Sequence, residues 1–364
     1  MECNNKILII SPNLEPGYCG VSDYVFVLKS FFEEEGHNCS LLALSDKYCD
    51  KIISQPNTLR IPFSTKDHNK IILANEFIIL YKPDIVYFNL VSYGYSKKGF
   101  PFYLLKILPE ISRKHKTVLI AHELWVGNFK SESFKFKLIG FLQKQLFTRI
   151  LALSNIKKIF VTTSISKNIL NTSSIKSTVC AVFSNIPIYK IVKSIISNKT
   201  VSFVLFGSIS FPIDIKESVS FFKERFINNN IHIIIYTVGL CRGYVEDWSL
   251  VKNELSKYSV EFRDIGFADT KIISTIMQEC NFGLTSYMPE FWSKSGSIAA
   301  FLAHGLPVIS MATKLEKSNL TNASYLHPNI YSLSQLINLI PEYHERNKLD
   351  FEYNKAIFLK MNLV

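Results

Sequence analysis

Short apolar runs of strand length alternate with segments of helical period along nearly all of the 364 residues. Such alternation marks βαβ units, in which parallel strands are joined by helices that cover the sheet. Residues 6–10 read as a buried strand. After a glycine-containing loop, residues 22–35 set Val25, Leu28, Phe31 and Phe32 on one helical face before Gly36. Further strands are expected at 41–44, 84–89, 117–121, 158–162 and 179–183. A second cycle follows, with strands at 201–206, 231–238, 260–264, 282–285 and 307–310. The fold class is therefore α/β, with two parallel-sheet domains facing a central cleft. Residues 1–186 form the first domain and 200–345 the second, with 187–199 as a linker and 346–364 packing back towards the first. The length agrees, since one hydrophobic core rarely serves this many residues. Ligands of open parallel sheets bind beyond the carboxyl ends of the strands, so the chemistry is sought in the loops that follow them.

Composition narrows the partners. Hydrophobic residues make up 48% of the chain and charged ones 20%, which excludes disorder, yet no run of 18 apolar residues occurs. The four apolar residues 7–10, followed by Ser11 and Pro12, are too few for a signal-peptide core. Seven scattered cysteines without a Cys-x-x-Cys pair suggest neither a disulfide framework nor a zinc cluster, and a cytoplasmic location is expected. The net charge of +11 calls for an anionic partner: nucleic acid, an anionic membrane surface or a phosphorylated substrate. Lysines are spread along the chain and no helix-turn-helix, zinc-finger or RNP signature appears, so nucleic acid is not expected as a partner.

Three loops carry candidate chemistry. The first strand opens into a loop holding Tyr18, Gly20, Val21, Ser22 and Asp23. Glycine before a helix lets backbone N–H groups approach an anion or hydroxyl, while a plain turn capped by Ser22 or Asp23 explains the same residues. The dense glycine fingerprint of dinucleotide enzymes is absent. After the strand at 117–121 come His122, Glu123 and Trp125: a histidine beside a carboxylate, suited to sugar hydroxyls or acid–base work, and a ring for stacking. A structural histidine is the competing reading. Val126 stands where a His-Glu-x-x-His zinc site needs histidine. The third loop is the most informative. Lys294, Ser295, Gly296 and Ser297 supply a cation, two hydroxyls and a glycine where an Ala-rich helix begins, the parts needed to cradle a diphosphate.

The segment Ala303-His304-Gly305-Leu306-Pro307-Val308-Ile309 resembles the Ala-x-Gly-x-Pro-Val-Ile signature of retaining family 4 glycosyltransferases, whose fold is GT-B. Other pieces fall in that family's order: Gly20-Val21-Ser22-Asp23-Tyr24, Lys82-Pro83-Asp84-Ile85-Val86, His122-Glu123-Leu124 and Gly266-Phe267-Ala268. The resemblance covers nearly the whole chain, and order and spacing carry it. Two features depart from the pattern. The family carries two glutamates eight residues apart, the second bonding the donor ribose, and Trp292 and Ala300 occupy those positions here, with Glu290 two residues from the first. An arginine of the family is also replaced, because Gly207 is followed by Ser208, while Lys216 matches the lysine that meets the diphosphate.

The resemblance implies transfer of a sugar from a nucleoside-diphosphate sugar, a co-substrate rather than a cofactor, to a glycan or lipid-linked acceptor of a bacterial surface polysaccharide. Lys216 and the 294–297 loop would hold the diphosphate, with Gly20, Gly207, Ser208 and Glu290 also on the donor side. Gly266 and Phe267 would meet the base, and His122 with Glu123 the sugar. Tyr18, Val21, Tyr93 and Trp125 would face the acceptor. No Asp-x-Asp motif is present, so metal independence is expected, with retention implied by the family. A sugar-nucleotide epimerase and a non-catalytic sugar-binding protein on the same fold remain alternatives. The basic, Phe-rich segment 130–158 reads either as a domain helix with a core face or as a helix lying on an anionic membrane.

Overall fold

The computed structural model describes residues 4–128, 132–189, 199–239, 242–313 and 330–332, with the backbone alone at 289, 290 and 330–332. Residues 346–364, most of the expected linker and the Glu290 side chain lie outside the described residues.

Two compact units divide between Ala181 and Val182, earlier than the boundary after Ile186 that the sequence suggests. The reason lies in 182–189. Val182 N–H donates to the Ser293 carbonyl at 2.8 Å, and the Tyr189 hydroxyl meets Thr270 Oγ1 at 2.9 Å. Ile186 is buried with Trp292 and Phe301, so these residues belong to the second unit's core rather than to a linker. The strand expected at 179–183 shrinks accordingly to Thr178–Val179.

The first unit comprises β1 (Lys6–Ser11), α1 (Gly20–Glu34), β2 (Asn38–Asp46), β3 (Ile53–Gln55), β4 (Thr58–Pro62), α2 (Asp67–Tyr81), β5 (Ile85–Leu90), α3 (Ser92–Tyr95), α4 (Leu104–Lys114), β6 (Lys116–Ala121), α5 (Phe134–Leu153), β7 (Lys158–Val161), α6 (Ser164–Asn171) and β8 (Thr178–Val179). Its sheet order is β3-β4-β2-β1-β5-β6-β7-β8. Only the β3–β4 pair is antiparallel among the described pairings. Ile7 to Ile10 are fully buried because helices cover both faces of this strand. α1 turns Val25, Leu28, Phe31 and Phe32 inward and is followed by Gly36 at φ 83°. α2 stops at Lys82, left-handed at φ 53°, since the next residue is Pro83.

The second unit comprises β9 (Thr200–Phe206), α7 (Ile215–Arg225), β10 (His232–Val238), α8 (Val245–Leu255), β11 (Val260–Gly266), α9 (Thr270–Glu279), β12 (Phe282–Thr285), α10 (Gly296–Ala303), β13 (Val308–Ser310) and β14 (Ile330–Ser332). Its strands are all parallel, in the order β11-β10-β9-β12-β13-β14. Alternation along β9 separates two cores: Phe203 and Leu205 face Phe222, Trp248 and Leu255, whereas Val204 faces Met277, Ile298 and Phe301. Helices thus cover both faces. The strand order reverses between β9 and β12, and between β1 and β5 in the first unit, which opens a crevice beyond the carboxyl ends at each point.

Candidate functional site

In the second unit three adjacent strands end in glycines of positive φ. Gly207 follows β9 at φ 86°, Gly239 follows β10 at 92°, and Gly266 closes β11 at 68°. Their backbones are tied in a row: Gly207 N–H donates to the Val238 carbonyl at 2.9 Å, and Gly239 N–H to the Gly266 carbonyl at 2.7 Å. A Cβ on Gly239 would lie 3.3 Å from Gly207 N, so only glycine lets the two turns approach this closely. The result is a bare backbone shelf along the carboxyl ends of β9, β10 and β11, with Gly207 next to the switch point.

The start of α10 faces this shelf. A Cβ at Gly207 would lie 3.9 Å from Ser297 Oγ. Ser295 caps α10 by accepting from Ile298 N–H, and its hydroxyl lies 3.2 Å from that of Ser297. Around Gly296 there is open space, with nothing within 4 Å of where a Cβ would stand. Lys294 ends the 3-10 turn Pro289–Lys294 and lays its Nζ 5.2 Å over the Phe291 ring, which stacks on Phe211 at 5.1 Å. The first N–H groups of α10 and the Ser297 hydroxyl therefore lie beside Gly207 and open space, an arrangement suited to an anion, while the Ser295 hydroxyl is buried in its cap and Lys294 sits over Phe291.

The remaining second-unit residues named from sequence differ in exposure. Ser208 is exposed, Lys216 is exposed in the first turn of α7, and Phe267 exposes 64% of its surface beside Gly266. Trp292 and Ala300 are buried. The Trp292 indole donates to the Tyr287 carbonyl at 2.9 Å, which Ser310 Oγ also meets at 2.8 Å, so the tryptophan anchors the loop that leads to α10. His304 is structural: Nδ1 donates to the Ala300 carbonyl and Nε2 pairs with Ser274 Oγ, both at 2.8 Å.

Sequence reasoning missed Gly239 and Arg242. Arg242 is exposed, and its carbonyl accepts from Ile209 N–H at 2.7 Å, which pins the loop after β10 to the loop after β9. The Gly239 signal was visible as a glycine at the end of a strand-like run. Arg242 gave none, because that pairing is long-range.

In the first unit His122 follows β6 and is buried. Its Nε2 lies 2.9 Å from Asn89 Oδ1. Asn89 Nδ2 already donates to the Ile10 carbonyl, so Oδ1 is the acceptor and the network assigns the proton to His122 Nε2. Tyr24 sets its ring edge against the imidazole, with centroids 4.8 Å apart. Burial, followed by Cys180 and Tyr87 nearby, raises the Tyr24 pKa well above its ordinary value. Glu123 is exposed whereas the imidazole is buried, so these neighbours in sequence stand in different surroundings.

Two expectations for this unit are corrected. Trp125 is not available for stacking on a ligand: its ring is buried against Phe147 at 5.6 Å, with Lys144 Nζ over it at 5.7 Å. Nor do Ser22 or Asp23 cap α1. Cys19 is the capping position, Ser22 is buried, and Asp23 Oδ1 instead accepts from Gly17 N–H at 2.6 Å. Gly20 begins α1 and is exposed, and Val21 is half-buried.

Tyr18 and Tyr93 remain exposed at the rim. Tyr18 is paired with Tyr48, centroids 6.0 Å apart, and the Tyr48 hydroxyl donates to the Tyr18 carbonyl. The loop below is fixed by Asp46, which accepts from Leu14 N–H at 3.1 Å and Arg60 Nε at 2.7 Å, while Arg60 also reaches Glu15 at 2.8 Å. Burial works against the Arg60 charge, but the hydrogen bonds to Asp46 and Glu15 outweigh it and raise the pKa. Among the described residues no group of three His, Cys, Asp or Glu gathers where a metal ion could be held.

No protein-family model matches the sequence, and no curated protein matches it. Solved structures do match by fold. A glycosyltransferase from Rickettsia africae ESF-5 is 15% identical, with 98% of this chain and 89% of that chain covered at a TM-score of 0.55. The fold is GT-B. The catalytic domain of starch synthase IV from Arabidopsis thaliana, bound to ADP and acarbose, is 10% identical, covering 98% and 92% at 0.53. An alpha-glucosyltransferase in complex with UDP and a 13-mer DNA containing a HMU base is 11% identical, covering 84% and 79% at 0.52. In GT-B terms the glycine shelf and the start of α10 belong to the second Rossmann-like unit, and His122 and the exposed tyrosines to the first.

Proposed function

We propose that this chain is a glycosyltransferase that moves a sugar from a nucleoside-diphosphate sugar to a glycan or lipid-linked acceptor in bacterial surface polysaccharide biosynthesis. The observation that carries the reading is the approach of Ser297, in the first turn of α10, to the positive-φ Gly207 at the switch point, with the positive-φ Gly239 and Gly266 on the neighbouring strand ends. As the anomeric C–O bond breaks, negative charge grows on the leaving diphosphate. Helix-terminal N–H groups and Lys294 are set to stabilise it, with Lys216 and Ser208 as further donors. Gly266 and Phe267 receive the base. His122, held by Asn89, is the first unit's group for sugar hydroxyls, with Glu123 at the rim. Tyr18, Val21 and Tyr93 face the acceptor. The mechanism needs no metal in this reading, and it retains anomeric configuration. The enzyme works in the cytoplasm at the membrane face.

Thermal unfolding with UDP, GDP, ADP, CMP and their sugar conjugates tests the proposal. A ligand at 100 times its Kd adds about 2.7 kcal/mol of stability. A shift selective for one base supports the donor site, and no shift in folded protein overturns it. Acceptor screening with the selected donor then includes duplex DNA, because the net charge of +11 and the DNA complex of one GT-B neighbour favour DNA as a second acceptor class. Sugar incorporated into DNA, and into no glycan or lipid-linked acceptor, would replace the polysaccharide reading.

A further inference from the structure

α5 has two apolar faces, and only one is used by the fold. Leu146, Phe147 and Ile150 enter the core of the first unit. On the opposite side Phe134, Leu138, Phe141 and Leu142, spaced i, i+4, i+7 and i+8, form one stripe in the first half of the helix. These side chains are 81%, 51%, 57% and 48% exposed. An isolated exposed leucine needs no explanation, but four large side chains on one helical stripe do.

The charge around the stripe says what covers it. The helix carries Lys135, Lys137, Lys144 and Arg149 and no Asp or Glu. Lys135 and Lys137 flank the stripe and are exposed. Glu132, just before the helix, accepts from Gly127 N–H at 3.2 Å.

The stripe also has a functional position. A Cβ at Gly140 would collide with the Val126 carbonyl, and one at Gly127 would lie 2.6 Å from the Phe136 carbonyl. The loop that follows His122 is thus packed directly onto the first half of α5. Whatever covers the stripe sits beside the carboxyl edge of the first sheet.

We propose that the outward face of α5 docks on a lipid bilayer containing anionic phospholipid, with the phenylalanines and leucines entering the acyl boundary and the lysines meeting phosphate headgroups. No helix among the described residues is long and apolar enough to cross a membrane, so the contact is a surface one. The proposal does not depend on the transferase reading, since it rests on one face of one helix.

Flotation of the full chain with vesicles tests it. Vesicles of phosphatidylcholine with phosphatidylglycerol should bind the protein, and phosphatidylcholine alone should bind it at least about tenfold less, each lysine at the surface being worth about fivefold. Phe134→Ser with Phe141→Ser should lower binding to the anionic vesicles more than about tenfold, because both rings lose their apolar burial. Lys135→Glu with Lys137→Glu should lower it by a similar factor without touching the apolar stripe. All four positions are exposed, so unchanged circular dichroism is expected in both variants. Absence of binding to anionic vesicles, equal binding to both vesicle types, or unaltered binding by the serine variant overturns the proposal. So does a lipid-free dimer that the serine variant dissolves, since the stripe would then belong to a second copy of the chain.

Discussion

Gly296→Ala separates what α10 does for the fold from what it does for a ligand. Gly296 is the first residue of the helix, its φ is outside the positive range, and nothing lies within 4 Å of where a Cβ would stand. Alanine therefore fits without strain, and the loss of unfolded-state freedom should stabilise the protein by about 0.4–1 kcal/mol. For a unit of this size that raises Tm by about 1–4 °C. In the proposed function the same empty space, beside the α10 N-terminus and Gly207, would seat the diphosphate. A methyl group there keeps phosphate oxygens from the first N–H groups, and losing one charge-assisted hydrogen bond of about 1.5 kcal/mol weakens binding about tenfold. Differential scanning fluorimetry reads both effects in one plate. At a nucleotide concentration of 100 times the wild-type Kd, the ligand adds about 2.7 kcal/mol to the wild type and about 1.4 kcal/mol to the variant. The variant should thus be more stable without nucleotide and respond about half as strongly to it. A variant that is more stable and binds nucleotide as tightly as the wild type would show that the space around Gly296 is not the phosphate seat.

Other expectations follow from individual contacts. Gly243→Ala should destabilise the protein by about 3 kcal/mol in urea unfolding, because φ is 95° and a Cβ would run into the Ile209 carbonyl that pins the Arg242 loop; a change under about 1 kcal/mol would contradict that pinning. Asn89→Leu removes the acceptor of His122 Nε2 and should cost about 1–3 kcal/mol, and it should reduce kcat at least tenfold while nucleotide Kd, set in the second unit, stays unchanged. Burial raises the Cys39 and Cys180 thiols to about 12 and raises Tyr87, Tyr95 and Tyr103 as well. The unfolded chain gives up these protons from about pH 8.5 for thiols and 10 for tyrosines, so stability is full below those values and falls as pH rises, by up to about 1.4 kcal/mol per unit for each group. Lys70, whose pKa burial lowers, acts in the opposite sense but is a single group, so a pH titration of urea midpoints that stays flat from 8 to 11 would refute the burial of these acids.

How much of this was legible in the sequence depends on the range of the interaction. The β1 run and the α1 face were readable because periodicity reports burial directly, and so was Ser295 before an apolar helix. The short strands β3 and β4 were not: Ile53–Gln55 is too brief and too polar to show a period, and the alternation of Leu59 and Ile61 in Thr58–Pro62 spans too few residues to stand out. The domain boundary was misplaced because Ile186 is held by Trp292 and Phe301, more than a hundred residues away. The same limit hid the partner of His122. Glu123 was its neighbour in sequence, but successive side chains at a strand end point in opposite directions, and the sheet brings Asn89 of the adjacent strand to the ring instead. Trp125, an aromatic in a loop, looks available for stacking until α5, which covers it, is placed.

The two positions where the resemblance expects glutamates lead to a prediction about the ribose. Ala300 is fully buried beside Phe301, and Trp292 is turned inward by its bond to the Tyr287 carbonyl. Neither position offers a carboxylate to a ligand, and a glutamate at 300 would place a charge against the second unit's core, where burial without a partner is costly. A site that holds a ribose hydroxyl with a carboxylate gains about 1.5–3 kcal/mol from that bond, so it prefers a ribonucleotide over its 2′-deoxy counterpart by roughly 12- to 150-fold. In the proposed donor site, diphosphate contacts at Gly207 and Ser295–Ser297 would have to supply most of the affinity, and those contacts are the same for both sugars. Calorimetric Kd values for the preferred nucleoside diphosphate and its 2′-deoxy form should therefore agree within about threefold. A ribose preference above about thirtyfold would mean that a carboxylate does reach the site from elsewhere, and Glu290→Gln would then be the variant to abolish that preference.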